Sequence, residues 1–174
     1  MVGVIGVLPA DATNPHVPGA HGGNLDIREI RTGATVHLCA ERDGGQVFLG
    51  DVHAVMGQGE LNGTGVEVDA EVILRIRTGN EFPAGPVVET PDSWICVASS
   101  PDYAEGVEKA VANMCLLMQQ LHDVSYRDAR TLVGTVGDVR NGCLIGMKGI
   151  TPREFDHPIT LCVAMPKSVR RSGR

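Results

Sequence analysis

The sequence predicts an α+β protein, mainly β: a β-sandwich or barrel-like body with a two-helix C-terminal α/β element. Three observations predict it. Over residues 1–100, short β-rich runs follow one another with glycine punctuation instead of alternating with helices, which argues against a doubly wound parallel sheet. After Pro101 the apolar spacing changes from alternation to helical recurrence. Residues 159–164, Ile-Thr-Leu-Cys-Val-Ala, then return to an apolar run of strand length. The expected organisation is a β-rich body at 1–100, a helical pair with a closing strand at 101–166, and a basic tail at 167–174 expected to be disordered.

Each element has its own signal. Residues 2–8 form the first apolar run. Runs at 35–40 and 46–49 flank Arg42-Asp43-Gly44-Gly45, whose Asp-Gly chemistry suits a hairpin. A run at 65–68 follows. At 71–77, Val72, Leu74 and Ile76 alternate with Glu71, Arg75 and Arg77, the period of a half-buried strand. Residues 94–98 read as a strand after the Pro91-Asp92 turn. Asp102 with Glu105 resembles a capping box, and Val107, Ala110, Val111, Met114, Leu117, Met118 and Leu121 then recur at helical spacing. A second helix starts at Ser125, with Asp128 in its first turn and Ala129, Leu132, Val133 and Val136 on one face. With only one Trp, two Tyr and three Phe, the core must be built from Val, Leu, Ile, Ala and Met.

Composition excludes several classes. The net charge of −6 disfavours a general nucleic-acid binder held by phosphate neutralisation. No run approaches the roughly 18 apolar residues that suggest a membrane span. The N-terminus is apolar but lacks the basic segment of a signal peptide, so the expected location is cytoplasmic. Five widely spaced cysteines without a CxxC pair read as reduced, mostly buried thiols.

Two clusters concentrate polar, metal-capable side chains among glycines. The first is His21-Gly22-Gly23-Asn24-Leu25-Asp26, and the second runs from Gly50 to Glu60. Asp51 and His53, two apart on a strand, point to one face and form either a hydrogen-bonded surface pair or a half-site for a divalent ion. The glycines around Gln58 let the chain turn and bring Glu60 back toward that face. His21, Asn24 and Asp26 can add imidazole, amide and carboxylate donors from a separate loop. Gly57-Gln58-Gly59-Glu60 lacks the spacing and the Lys-Ser/Thr of a phosphate loop. Cys143, after Asn141-Gly142, reads as a structural thiol, with a nucleophile as the alternative.

These clusters closely resemble the acetamidase/formamidase family, whose members carry His-Gly-Gly-Asn-hydrophobic-Asp and Gly-Asp-x-His-Ala-x-x-Gly-Asp-Gly-Glu. Here they are matched by His21 to Asp26, by Gly50 to Glu60, and by Gly63-Thr64-Gly65-Val66-Glu67. Gly137-Asp138-Val139-Arg140 and Met165-Pro166-Lys167 resemble later parts of the family pattern. The resemblance implies a β-rich enzyme with a bound divalent metal that hydrolyses short linear amides such as formamide and acetamide to a carboxylate and ammonia. It implies Asp51, His53, His21 and Asp26 as metal contacts and Glu60, Asp51 and His53 as catalytic residues, with Glu60 as base or proton shuttle. Asn24 and Gln58 would contact substrate. Zinc fits His with carboxylates best, and manganese or calcium would also be accepted.

The sequence departs from the family pattern in three ways. Gln58 stands where the family has Asp, which removes a charge and leaves a weaker oxygen ligand. Asn141-Gly142 replaces a Ser-Gln pair. Typical members are about twice as long, and the match begins near the middle of their chain. Two other functions therefore stand beside the amidase: a non-catalytic or regulatory subunit or fragment needing a separate N-terminal-half partner, and a hydrolase of cyclic amides or other C–N bonds. A half-length version of a larger fold would leave apolar surface uncovered, so a homo-oligomer is expected.

Overall fold

A computed structural model of the chain describes residues 1–11, 14–79, 82, 85–149 and 157–169. The last five residues of the basic tail lie outside the described residues. Two antiparallel sheets and a helical pair make three layers. The first sheet contains β1 (Val2–Val7), β2 (Gly22–Asn24), β4 (Val47–Val55) and β5 (Val66–Glu67), in the order β2-β1-β4-β5. The second contains β3 (Thr35–His37), β6 (Val87–Glu89), β7 (Ser93–Ser100), β8 (Asp138–Asn141) and β9 (Ile159–Pro166), in the order β3-β6-β7-β9-β8. Neither closes into a barrel.

The second sheet is covered on both faces, and alternation along its strands divides the two cores. Cys96, Ala98, Val163 and Met165 face α1 (Tyr103–His122) and α2 (Tyr126–Val136), meeting Ala110, Met114, Leu117, Met118 and Val133. Ile95, Val97, Cys162 and Ala164 face the other way, toward Ile5, Leu25 and Ile27 of the first layer. Both helices start at the side chains the sequence marks. Asp102 Oδ1 accepts from the Glu105 amide at 2.8 Å, and Ser125 Oγ accepts from the Asp128 amide at 3.1 Å. β7 and β9 pair along their whole length, from Ser93↔Pro166 to Ser100↔Ile159, so the β-rich region and the closing strand share one sheet.

Two expectations are corrected. The runs on either side of Arg42-Asp43-Gly44-Gly45 do not form a hairpin. A turn is present, with the Gly45 amide donating to the Arg42 carbonyl at 3.2 Å, but β3 pairs with β6 while β4 pairs with β1. Turn chemistry fixes the local reversal, whereas the strand partners are set by which apolar faces each layer can bury. Residues 71–77 form no strand: they are largely exposed and have no ladder partner among the described residues. Three short strands, β2, β6 and β8, lack a sequence signal strong enough to predict them.

Candidate active site

The site is built where β1, β4 and the segment after β2 converge. Asp51 and His53 lie on β4. Asp26 follows β2, its amide donating to the Gly3 carbonyl at 3.1 Å. Gly3 makes this approach feasible, since a Cβ there would sit 2.6 Å from both Asp26 Oδ1 and Asp51 Oδ2. The Gly57–Glu60 turn closes with the Glu60 amide donating to the Gly57 carbonyl at 3.2 Å, and it returns Glu60 Oε1 to 3.7 Å from His53 Nε2. β5 places Glu67 opposite His53 in register. Gly65 lies flat on the imidazole, where a Cβ would be 2.7 Å from His53 Cγ.

The result is two overlapping donor groups that share His53. Asp26, His53 and Glu60 form a buried group, and Asp51, His53 and Glu67 form a group opening to solvent; within each, the ligand atoms lie within 4.8 Å of one another. Asp26 is 0% exposed and His53 1%. Among the described residues, both Asp26 oxygens and both His53 nitrogens lack a hydrogen-bond partner. His53 Nε2 is 2.8 Å from Glu67 Oε1 and 3.2 Å from Asp51 Oδ1, yet these contacts are not aligned as hydrogen bonds. Among the described residues, no lysine or arginine pairs with any member of the cluster.

Burial sets the electrostatics. It pushes the Asp26 carboxyl up to about 6, with the nearby Cys143 thiol opposing the effect and the charge of Asp51 adding to it. It pushes Glu60 up to about 7, reinforced by the charge of Asp26. Backbone strain gathers at the same place: Asp26, Asp51 and Glu60 adopt φ values of 48°, 57° and 48°, left-handed conformations that non-glycine residues rarely hold.

The remaining sequence-predicted residues fall in different places. Asn24 is buried beside the cluster, with its Oδ1 unpartnered. Gln58 is half-buried in the turn before Glu60. His21 belongs to neither donor group; its Nε2 lies 3.0 Å from the Pro15 carbonyl oxygen. The structure adds two residues that sequence reasoning missed as site members. Glu67 could have been found from the hairpin that pairs β5 with β4. Cys143 had no such signal, being 83 positions from Glu60. Its Sγ lies 3.9 Å from Glu60 Oε2 and accepts from Asn24 Nδ2 at 3.6 Å. Thr160 fixes this thiol, accepting from the Cys143 amide at 2.5 Å and donating to the Leu25 carbonyl at 2.6 Å. Burial and the neighbouring Asp26 charge raise the Cys143 pKa, which is opposite to what an activated nucleophile needs.

The fold and the site define an α+β sandwich protein with a buried imidazole–carboxylate cluster. The chain belongs to the acetamidase/formamidase family, whose model matches residues 8–94. Three solved structures have a similar fold. An acetamidase from Bacillus halodurans is 27% identical with a TM-score of 0.74, covering 95% of this chain and 54% of its own. A predicted acetamidase/formamidase from Thermoanaerobacter tengcongensis is 32% identical with a TM-score of 0.75, the shares being 95% and 52%. An acetamidase from Yersinia enterocolitica, 24% identical with a TM-score of 0.76 and shares of 95% and 48%, is alike in fold. The chain spans about half the length of these structures. No curated protein sequence matches it.

Proposed function

We propose that this chain carries the active site of a metal-dependent amidase that hydrolyses short linear amides, of formamide and acetamide type, to carboxylate and ammonia. The observation that carries the reading is the Asp26–His53–Glu60 group. Among the described residues the Asp26 carboxylate and the His53 imidazole are buried without hydrogen-bond partners and no cationic side chain pairs with the group, which is costly unless something positive joins it. A divalent cation fits this donor set, and zinc fits it best because imidazole combines with carboxylate. Asp26 and His53 would hold it from the buried side and Asp51 from the rim. Such an ion supplies Lewis acidity at the amide carbonyl and acidifies water.

The protein's own groups supply the rest. An amide is a poor electrophile and ammonia a poor leaving group, so a proton must be taken from water and returned to nitrogen. Glu60 is the group to move it, because the Gly57–Glu60 turn aims Oε1 into the cluster while Oε2 rests against the Cys143 thiol. Asn24 Oδ1 is an unused buried acceptor suited to an amide N–H. Solvent and substrate reach the cluster from the Asp51 and Glu67 side, since both are less buried than Asp26 and His53.

The decisive experiment is ammonia release from formamide and acetamide after chelation, with zinc, manganese or calcium restored. Metal-restored release is the expected result, and its absence with every metal overturns the reading. A subunit role is favoured by one observation, the half-length span of the solved relatives, and release only on addition of a second chain would support it. Five free thiols fit a reducing compartment, and no helix among the described residues is long and apolar enough to cross a membrane. Self-association is supported by Val55, Leu61, Val66, Ile73 and Ile76, each more than half exposed.

A further inference from the structure

Residues 69–79 leave the first sheet after β5 and make no backbone hydrogen bond to another described residue. Yet the sequence here is patterned for a sheet, with a single break in the alternation at Ile73. Val66, Val68, Ala70, Val72, Leu74 and Ile76 occupy every even position, while Glu67, Asp69, Glu71, Ile73, Arg75 and Arg77 occupy the odd ones. Ile73 is 87% exposed and Ile76 66%. A solvated loop has no use for such an alternation, which is the pattern of a strand that lacks a partner.

The order of charges along it specifies what that partner is. Acids precede the centre and bases follow it: Asp69 and Glu71, then Ile73, then Arg75 and Arg77. An antiparallel strand of the same sequence, paired about Ile73, puts Asp69 opposite Arg77, Glu71 opposite Arg75, and Ile73 opposite its own copy. On the other face Val72 meets Leu74 and Ala70 meets Ile76. Sliding the register by two places in either direction leaves Glu71 or Arg75 facing Ile73, and sliding by one sets charged residues against apolar ones. The self-paired register is therefore the one in which every position from 69 to 77 finds a matching neighbour.

We propose that residues 69–77 form an isologous two-fold interface, the arm of one chain pairing antiparallel with the arm of a second copy about Ile73. Main-chain hydrogen bonds close the unpaired edge, and four cross-strand ion pairs fix orientation and register. Such a ribbon spans about 30 Å. It does not stand alone, because the even row continues into the exposed Val66 and Val68 and gives the joined arms one long apolar face. The proposal makes the self-association described above specific and is independent of the amidase reading.

Two charge-reversal variants test it on the full chain by sedimentation equilibrium. These are R75E/R77E, which makes the arm wholly acidic, and D69K/E71K, which makes it wholly basic. Both alter exposed side chains that are outside the core and outside the donor groups. The wild type should have the mass of a dimer or an even multiple of the monomer. Each variant alone should associate roughly a hundredfold more weakly, as four attractive pairs become repulsive. An equimolar mixture of the two should regain the lost mass. In a Cys39→Ser background, Ile73→Cys should give a covalent dimer on oxidation and Ile76→Cys should not. A monomeric wild type, or an assembly indifferent to both reversals, overturns the proposal.

Discussion

The two sheets of this protein are used in opposite ways. The second sheet is apolar on both faces: Ile95, Leu161 and Met165 are buried, and its helix-facing side is filled by Met114, Leu117 and Met118. The first sheet buries one face against it and gives its ends to polar groups, so that Asn24, Asp26, His53 and Glu60 are all buried there. Two of those positions, Asp26 and Glu60, also carry left-handed backbone, as does the neighbouring Asp51. The helix-backed layer stores the stability, and the other layer spends part of it holding carboxylates where water cannot solvate them.

The comparison is broken most severely by Glu60→Gln. This change keeps the shape of the side chain but removes its proton-carrying ability, so amide turnover should fall roughly 10²–10⁴-fold. The metal-free protein should at the same time become more resistant to urea, because a buried charge has gone. Retention of full turnover would remove Glu60 from its assigned role. Met114→Ala should do the reverse. It should cost about 2–5 kcal/mol in denaturant unfolding, with turnover per folded molecule unchanged.

A pH series sharpens the contrast further. Asp26 and Glu60 bind protons more tightly in the folded chain, at about 6 and about 7, than in the unfolded one. Between pH ~4 and ~7 the folded state therefore holds more protons, and stability of the chelated protein should fall as pH rises through that window. For Glu60 the effect is on the order of 3 kcal/mol. Zinc should reverse the slope, since it binds the deprotonated donors. Thermal unfolding at pH 5 and pH 8, with chelator and with zinc, reads both signs. The smallest expected effect is that of Ser125→Ala, which removes only the cap of α2 and should cost about 1 kcal/mol.

Much of this was legible in the chain because it is local. The helix starts at Asp102 and Ser125 depend on side chains reaching an amide three residues away, and periodicity alone separates the buried Met114 and Met118 from their exposed neighbours. Asp51 and His53 share a face because a strand repeats every two residues. Their glycine-rich surroundings also carried the family resemblance.

The tertiary structure decided what depends on contacts distant in sequence. Cys143 reaches Glu60 only because the segment after β8 forms a parallel bridge to Gly59, and Thr160 clamps it from another strand. β3 and β4 enter different sheets despite the turn between them, because pairing follows the apolar faces available to each layer. His21, adjacent to the cluster in sequence, takes the Pro15 carbonyl as its neighbour instead. The alternation at 71–77 has the period of a strand, yet no strand forms there, because a pattern cannot supply its own partner. Sequence determines which groups are suited to burial, pairing or chemistry, and the fold determines which of them meet, since that depends on how whole layers pack.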